Sequence, residues 1–235
     1  MPEAQSTSVP RCIGIIMDGN RRWARERGLP TFEGHAEGRK RLEDFLHWAN
    51  EAGIEKVIAY TFSTENWNRT KEEVSYVMDL LRDGLDSIVD SAKKAGARVR
   101  AIGELHMLPE DILTRVLELP EQTKDFGEKE LVLALSYGGH SEILSTVKKL
   151  AREHTPEEIE AMTVEDFSHE LYTGDMPHPD LIIRTGGERR LSNFLPWQSV
   201  YSEIFFVDTH WPAFSKEEFH DILNAYASIE RRHGQ

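Results

Sequence analysis

The stretch IGIIMDGNRRWARERG, residues 13–28, carries the signal from which the fold can be worked out. A short apolar run ends at Met17, and Asp18 is followed by a glycine, an asparagine and two adjacent arginines. Such a run predicts a buried strand, and the glycine predicts a turn out of that strand into a helix. A carboxylate beside several guanidinium groups also points to a site that handles anions.

Short β-rich runs and longer amphipathic runs continue to alternate along the chain. Strands are predicted near residues 12–17, 56–62, 97–102, 131–136, 181–184 and 203–206. Helices are predicted near residues 36–52, 71–95, 109–123, 141–153 and 164–171, with a last helix from 215 to about 231. This alternation predicts an α/β fold with a central, mostly parallel sheet of about six strands flanked by helices.

No internal repeat or Pro/Gly/Ser-rich linker divides the chain. We therefore expect a single domain over residues 11–235, preceded by a flexible N-terminal segment over residues 1–10. The charged stretch 151–166 is interpreted as a solvated helical connection rather than an inserted domain.

The composition limits the class of protein. The chain has 235 residues, a hydrophobic fraction of 39% and a formal net charge of −13, which is typical of a globular protein without affinity for nucleic acid. Cys12 is the only cysteine, so an intramolecular disulfide and a cysteine-based zinc site are excluded. Because no run of about 18 apolar residues is present, we expect a cytoplasmic protein.

Polar residues follow three of the predicted strands. The segments are 18–23 after the first strand, 63–69 after the second and 184–193 after the fifth. Since ligands of open parallel sheets bind at the carboxyl ends of the strands, we expect these segments to face one crevice. Glycines and arginines favour phosphate groups there, and the arginines concerned are Arg21, Arg22, Arg69, Arg184 and Arg190. Asp18 among phosphates is then best explained as a ligand for Mg²⁺.

Other common nucleotide and hydrolase motifs are missing. The chain has no G-x-x-x-x-G-K-[ST] loop, no G-x-G-x-x-G turn and no G-x-S-x-G elbow. Among ten histidines, His35 is the one that we expect at the site, since it lies near the entrance of the next helix. Taken alone, Asp-Gly-Asn would more often be an ordinary turn. The prediction of an anion-binding site therefore depends on the occurrence of polar, arginine-containing segments after three different strands.

Six motifs together resemble one family over nearly the whole chain, from about residue 13 to residue 232. They are MDGNRRWA, Gly34-His35, FSTENWNR, YGG at 137–139, IRTGGERRLSNFLPWQ and SEIFFVDTHWPAF. In these motifs the chain resembles the cis-prenyltransferases, the undecaprenyl diphosphate synthase family. The resemblance implies an isoprenyl transferase that condenses isopentenyl diphosphate onto an allylic primer, farnesyl or geranylgeranyl diphosphate, to give a Z-polyprenyl diphosphate. It further implies a homodimer that uses Mg²⁺.

The resemblance also implies roles for individual residues. Asp18 would be the Mg²⁺ ligand, with Glu203 as the second acidic ligand. The loop for the allylic diphosphate would contain Gly19, Asn20, Arg21, Arg22 and Trp23. The pocket for isopentenyl diphosphate would contain Arg69, Arg184, Arg190, Leu191 and Ser192, beside a wall of His35, Ser63, Thr64, Glu65 and Trp67. Asn66 matches the residue often assigned as proton acceptor, although the departing diphosphate could take that proton instead.

Three positions depart from the family pattern. Thr31 lies where relatives often have an arginine, and Ser136 and His140 flank Tyr-Gly-Gly where asparagine and a basic residue are commoner. We therefore assign no phosphate ligand at Thr31.

The helix predicted over residues 71–95 repeats apolar residues along one face: Val74, Met78, Leu81, Leu85, Ile88 and Ala92. This pattern by itself indicates ordinary core, whereas the resemblance implies a product tunnel. The resemblance also places the dimer interface near residues 204–207 with Trp211, and leaves room for transient membrane contact during product release.

Two alternatives stay open at this stage. The first is a non-catalytic subunit of a heteromeric cis-prenyltransferase, and the second is a Mg²⁺-dependent phosphohydrolase that uses the same anion site.

Overall fold

The computed structural model describes residues 9–229. The remaining residues, 1–8 and 230–235, include most of the expected N-terminal segment and lie outside the described residues. The last helix was predicted to extend to about residue 231 but ends at Ala227.

Six parallel strands form one sheet, and all six were predicted from the sequence. They are β1 (Cys12–Ile16), β2 (Lys56–Ser63), β3 (Ala97–Ile102), β4 (Lys129–Tyr137), β5 (Leu181–Arg184) and β6 (Glu203–Phe206). Their order across the sheet is β3-β4-β2-β1-β5-β6. Strand β1 therefore has β2 on one side and β5 on the other, which places a topological switch point at β1.

Eight α-helices accompany the sheet within residues 9–229: α1 (Asn20–Glu26), α2 (Thr31–Glu51), α3 (Lys71–Ala95), α4 (Glu110–Thr123), α5 (Gly139–Glu153), α6 (Pro156–Ala161), α7 (Val164–Glu170) and α8 (Lys216–Ala227). Helix α2 begins at Thr31 rather than near residue 36, and α1 is the helix expected after the first turn, for which the sequence predicted no bounds. Gly19 precedes α1 in a left-handed conformation, and no side chain caps the helix, so its start lacks the usual sequence signal. Helix α6 lies in the charged stretch that was interpreted as a helical connection.

The sheet is buried on both faces, which is why β1 reads as a continuous apolar run. Ile13 and Ile15 face a core that also contains Phe45 of α2 and Leu85 of α3. Cys12 and Ile16 alternate with them and face a second core, which is covered by the chain that includes Phe194. Burial of each large apolar side chain contributes about 1.5–3 kcal/mol, so these two cores hold the strands in register.

Trp211 lies in the larger core and is fully buried. Its ring contacts Phe45 and Phe214, and its indole N–H donates to the carbonyl oxygen of Gly38. The expectation that Trp211 contributes to an interface between subunits is therefore wrong, because the fold already covers its whole surface.

Within residues 9–229, each helix is either too short or too polar to cross a membrane.

Candidate active site

The carboxyl ends of β1 and β5 bring Asp18 and Arg184 together, although 166 positions separate them in the chain. Arg184 is the last residue of β5 and pairs with Ile16 of β1. Its guanidinium donates to Asp18 Oδ2 at 2.9 Å and to Ser192 Oγ at 2.7 Å. It also donates to the carbonyl oxygen of Arg190. The buried Arg184 side chain thus joins the segment after β1 to the segment after β5.

Asp18 receives two further stabilising interactions from its own segment. The Gly19 N–H donates to Asp18 Oδ1 at 2.6 Å, and the Arg22 guanidinium lies 3.2 Å from the same oxygen. Partial burial would raise the pKa of Asp18, but the Arg184 hydrogen bond and the positive charges of Arg22 and Arg184 outweigh it and lower the pKa below its ordinary value. Asp18 is consequently an ionised carboxylate between two guanidinium groups.

The backbone around Asp18 is held by close packing. Gly19 has φ +104°, and a Cβ at this position would lie within 2.9 Å of the His210 backbone. Gly186 has φ +87°, and a Cβ there would lie 3.0 Å from the carbonyl oxygen of Asp18. That oxygen also accepts hydrogen bonds from Thr185 Oγ1 at 2.8 Å and from the Trp211 N–H at 2.9 Å. Glycine is required at both positions, since side chains there would displace the aspartate.

A second charged cluster forms around Glu73, a residue that the sequence analysis did not assign to the site. Arg69 donates to its carboxylate at 2.8 Å, and both Arg21 and His35 Nε2 lie 3.6 Å from it. Burial, followed by the charge of Arg69, lowers the pKa of His35 despite the opposing effect of Glu73. The position of Glu73, four residues after Arg69 in the first turn of a helix, was the signal that could have identified it.

Four of the five predicted arginines therefore divide between two clusters. Arg22 and Arg184 contact Asp18, whereas Arg21 and Arg69 contact Glu73. Arg190 is exposed and pairs with Glu188, whose carboxylate also lies 3.7 Å from Arg22. Since Arg21 and Arg22 are neighbours at the start of α1, this helix connects the two clusters.

The segment after β2 forms a short 3₁₀ turn, Thr64–Asn68, that lies against the same edge. Asn66 Oδ1 accepts a hydrogen bond from the Ser63 N–H at 3.1 Å and so caps the turn. Trp67 Nε1 donates to Ser136 Oγ at 2.8 Å. Glu65 accepts a hydrogen bond from Asn193 at 2.9 Å. The amide oxygen of Asn66 is therefore committed to the backbone of its own turn.

The other predicted residues take varied positions. Asn20 Nδ2 donates to the carbonyl oxygen of Met17 at 3.2 Å, and the Trp23 ring lies beneath the Arg27 guanidinium at 4.4 Å. Leu191 packs against the smaller core. Arg184 Nε and Asn20 Oδ1 are buried without a hydrogen-bond partner among the described residues, so this edge retains free polar groups.

Glu203 lies at the opposite end of the sheet from Asp18. It is the first residue of β6 and pairs with Leu181, which pairs with Ile13 of β1. Asp18 follows the far end of β1, five positions beyond Ile13 in sequence. Within one copy of the chain the fold does not bring Glu203 and Asp18 together. All strands of a parallel sheet run in the same direction, so a residue that begins one strand and a residue that follows the end of another lie at opposite ends of the strands.

A cavity of about 650 Å³ begins beside this site and lies between α2, α3 and the sheet. Asn20 and His35 lie at the end near the site, and Asn50 and Lys129 lie at the other end. The cavity follows β2, whose eight residues span roughly 26 Å at 3.3 Å per residue. Most of its wall is apolar, and four members of the predicted apolar face of α3 contribute to it: Leu81, Leu85, Ile88 and Ala92.

The remaining two members of that face, Val74 and Met78, line a separate shallow cleft instead. All six residues of this face belong to the larger core or pack against it, as the pattern indicates, and the four deeper ones also line the cavity.

A family model and the sequences of known proteins match nearly the whole chain. The Prenyltransf (undecaprenyl diphosphate synthase) family model matches residues 16–234. An isoprenyl transferase of Thermotoga maritima is 44% identical over 226 residues, which cover 96% of this chain and 97% of the relative.

Two further relatives carry more specific names. The tritrans,polycis-undecaprenyl-diphosphate synthase (geranylgeranyl-diphosphate specific) of Thermoplasma volcanium is 41% identical and covers 100% of this chain and 93% of the relative. The ditrans,polycis-undecaprenyl-diphosphate synthase ((2E,6E)-farnesyl-diphosphate specific) of Micrococcus luteus is 40% identical and covers 97% of this chain and 93% of the relative.

Among solved structures, lavandulyl diphosphate synthase from Lavandula x intermedia, in complex with dimethylallyl diphosphate, superimposes with a TM-score of 0.90. The two sequences are 29% identical, and the match covers 97% of this chain and 99% of the other.

Proposed function

This chain belongs to the cis-prenyltransferase (undecaprenyl diphosphate synthase) family, and we propose that it condenses isopentenyl diphosphate units onto an allylic diphosphate primer. The products would be a Z-polyprenyl diphosphate and free diphosphate. One observation carries this proposal: an ionised carboxylate held between two guanidinium groups lies at the mouth of a long apolar cavity. Such a site binds a molecule with an anionic head and a hydrocarbon tail.

The residues at the site fit Mg²⁺ bound jointly by protein and substrate. Asp18 offers one ionised carboxylate, and Mg²⁺ commonly uses one or two carboxylates together with phosphate oxygens and water. Within residues 9–229, no group of three or more His, Cys, Asp or Glu side chains could form a cage made of protein alone. When bound, Mg²⁺ would neutralise charge on the departing diphosphate.

The arginines would perform the rest of the charge stabilisation. Breaking the allylic C–O bond places negative charge on the diphosphate, and Arg22 and Arg184 are already oriented by Asp18 at the edge where that charge would develop. Arg21 and Arg69 would reach the second headgroup from the Glu73 cluster. Holding both substrates in this geometry supplies much of the remaining rate enhancement, since effective molarities can reach about 10⁵ M or more.

We further propose that the departing diphosphate, rather than Asn66, accepts the proton that isopentenyl diphosphate loses. The amide oxygen of Asn66 caps the 64–68 turn, and a neutral amide is a weak base. Asn66 would then shape the substrate wall that contains Ser63, Thr64, Glu65 and Trp67.

The apolar cavity would hold the growing hydrocarbon. Each CH₂ group buried there contributes about 0.8 kcal/mol, so chain extension is favourable while apolar wall remains. At the far end the wall becomes polar, where Lys129 donates to the carbonyl oxygen of Asn50 at 3.3 Å.

The exposed edge of β6 is the surface that we propose for a homodimer. Val200, Tyr201 and Ile204 are 68%, 77% and 36% exposed there. Because Glu203 lies on the same strand, it can act as a metal ligand only at a site completed by a second copy of the chain. Leu29 and Phe32, which are exposed near the cavity mouth, could support transient membrane contact by a cytoplasmic enzyme that releases a lipid product.

The test is a direct assay. Purified protein is incubated with Mg²⁺, labelled isopentenyl diphosphate and either farnesyl or geranylgeranyl diphosphate, and the products are sized by chromatography. We expect labelled polyprenyl products, and we expect no such products when EDTA is present from the start of the reaction. Release of phosphate without chain extension would instead support the phosphohydrolase, and turnover only after addition of a second protein would support the non-catalytic subunit.

A further inference from the structure

The loop after β5 has an unusual backbone over residues 192–195, a stretch that contains no glycine. Ser192, Asn193 and Leu195 have φ values of +48°, +66° and +49°. Residues with a side chain rarely adopt this left-handed region, and such conformations persist only where the surroundings hold them. Three of them within four positions indicate that other parts of the fold fix this loop.

Asn193 makes the contacts that fix it. Its side-chain Nδ2 donates to Glu65 Oε1 at 2.9 Å, and its Oδ1 accepts from the His140 N–H at 2.8 Å. Its backbone carbonyl accepts from the Gly139 N–H at 2.8 Å. One residue thereby connects the segments that follow β2, β4 and β5.

The glycines of the Tyr-Gly-Gly motif make this connection possible. A Cβ on Gly138 would lie 2.5 Å from Thr64 Oγ1 and 2.7 Å from Asn193 Nδ2. A Cβ on Gly139 would lie 2.0 Å from the Pro196 ring. Both glycines are therefore explained by the close approach of the Asn193 loop.

The connection leads directly to the charged site. Ser192, next to Asn193, accepts the hydrogen bond from Arg184, and Arg184 contacts Asp18. Tyr60 OH, on strand β2, donates to the carbonyl oxygen of Ser192 at 3.2 Å and so also holds the loop in place. A displacement of Asn193 would move Ser192 and remove one of the groups that orient Arg184.

We propose that Asn193 is a positioning residue that acts through its side-chain pair with Glu65 to hold Ser192 and Arg184 in place for the diphosphate of isopentenyl diphosphate. This inference rests on the proposed function, because the substrate is named from it. Asn193 and Glu65 preorganise the loop before substrate arrives, so their loss should weaken binding of this substrate more than binding of the allylic primer.

The first test is Asn193→Gly. Glycine adopts the left-handed conformation without steric cost, so this variant removes the side-chain connections without adding backbone strain. We expect the KM for isopentenyl diphosphate to rise about tenfold, as for the loss of one or two hydrogen bonds, while the KM for the primer changes less than about twofold. Equal changes in both constants, or no change, would overturn the proposal.

The second test exchanges donor and acceptor. Asn193→Asp removes the donor and places two carboxylates side by side, whereas Asn193→Asp combined with Glu65→Gln restores a hydrogen bond with reversed polarity and the original total charge. We expect the single Asp variant to raise the KM for isopentenyl diphosphate and the double variant to regain most of the loss. Failure of the double variant to improve on the single variant would contradict a role for the pair.

His140→Ala is the matched control. It removes an exposed side chain but keeps the backbone N–H of residue 140, which donates to Asn193 Oδ1. The KM for isopentenyl diphosphate should therefore not change. Thermal unfolding of every variant establishes that it is folded. If the wild type lacks transferase activity, the proposed function fails, and calorimetric binding of inorganic diphosphate then tests the positioning role. Weaker binding by Asn193→Gly than by the wild type would support that role, and equal binding would refute it.

Discussion

At the scale of single residues, Asp18 explains why so many arginines gather at one edge of the sheet. Its carboxylate is ionised because Arg184 and Arg22 oppose the effect of burial, and the same guanidinium groups remain close to any anion that enters. Under the proposed function, this carboxylate among positive charges would bind a divalent cation, and the guanidinium groups would bind the diphosphate.

Replacement of Asp18 by alanine should reduce turnover by at least about two orders of magnitude, as expected when a directly charge-stabilising group is lost. The fold should persist, since Arg184 keeps its hydrogen bonds to Ser192 and to the Arg190 carbonyl oxygen, and the carbonyl oxygen of residue 18 keeps those from Thr185 and Trp211. Steady-state kinetics at saturating Mg²⁺ and circular dichroism measure the two effects. Near-normal activity in this variant would rule out the metal assignment.

Glu142 is a second carboxyl group with an unusual environment, and the mechanism does not use it directly. It is fully buried and accepts hydrogen bonds from Tyr137 OH at 2.6 Å, from Gln198 at 3.0 Å and from the Tyr172 N–H at 2.9 Å. Burial raises its pKa, although these hydrogen bonds oppose the shift. Glu142 thus connects α5 to the chain beyond the Asn193 loop.

The raised pKa predicts a pH dependence of stability. Between the ordinary value of 4.5 and the higher folded value, the folded protein keeps a proton on Glu142 that the unfolded chain has released. The free energy of unfolding therefore falls as pH rises through this window and becomes constant above the folded pKa. Thermal unfolding of the wild type and of Glu142→Gln from about pH 4.5 to about pH 8 should show the wild type losing stability relative to the variant. A difference in Tm that is independent of pH would contradict the prediction.

At the scale of elements, local signals determine where α3 begins and ends, whereas tertiary structure determines what its apolar face contacts. Thr70 caps its start by accepting from the Glu73 N–H at 3.3 Å, and Gly96 ends it in a left-handed conformation. These signals are local, so the bounds 71–95 were predicted correctly. Whether its apolar face also lines an open cavity depends on the path of α2, which no local signal specifies.

Gly84 lies within α3, where a Cβ would meet no atom within 4 Å. Gly84→Ala should therefore raise the free energy of unfolding by about 0.5–1 kcal/mol, because alanine loses less backbone entropy than glycine in a helix. Urea denaturation measures the change. Gly34→Ala is the contrasting variant, since its Cβ would lie 2.0 Å from the carbonyl oxygen of Asn20 and should destabilise the fold. Destabilisation by Gly84→Ala would show that the cavity does not have the described width.

At the scale of the whole molecule, β6 lies at one edge of the sheet, where we propose that a second copy of the chain binds. A parallel strand at the edge of a sheet has unpaired backbone groups. Here Ile204 of β6 is also exposed, as are Val200 and Tyr201 in the turn that precedes the strand. Coverage by a second copy would bury both the backbone and the apolar side chains.

Ile204→Glu should convert a dimer into a monomer, because the substitution places a charge on each side of a twofold apolar contact. Analytical ultracentrifugation over a range of protein concentrations measures the association. Val164→Glu, at a residue that is 73% exposed on α7, should leave the dimer intact. A wild type that is monomeric, or a dimer that survives Ile204→Glu, would exclude this edge as the interface.

The sequence by itself determined the six strands, the main helices and the three segments that carry the charged residues. These features have local causes: apolar periodicity, capping residues and glycines at turns. The motifs also allowed the family to be identified, since each lies within a short stretch of chain.

Only the tertiary structure decided which of those residues meet. Asp18 and Arg184 contact each other across 166 positions, Glu203 lies at the far edge of the sheet, and Trp211 is enclosed by the core. The roles of Glu73 and Asn193 likewise depend on partners from distant segments. Strand order and register set these distances, and they result from how all the elements pack together rather than from any one stretch of sequence.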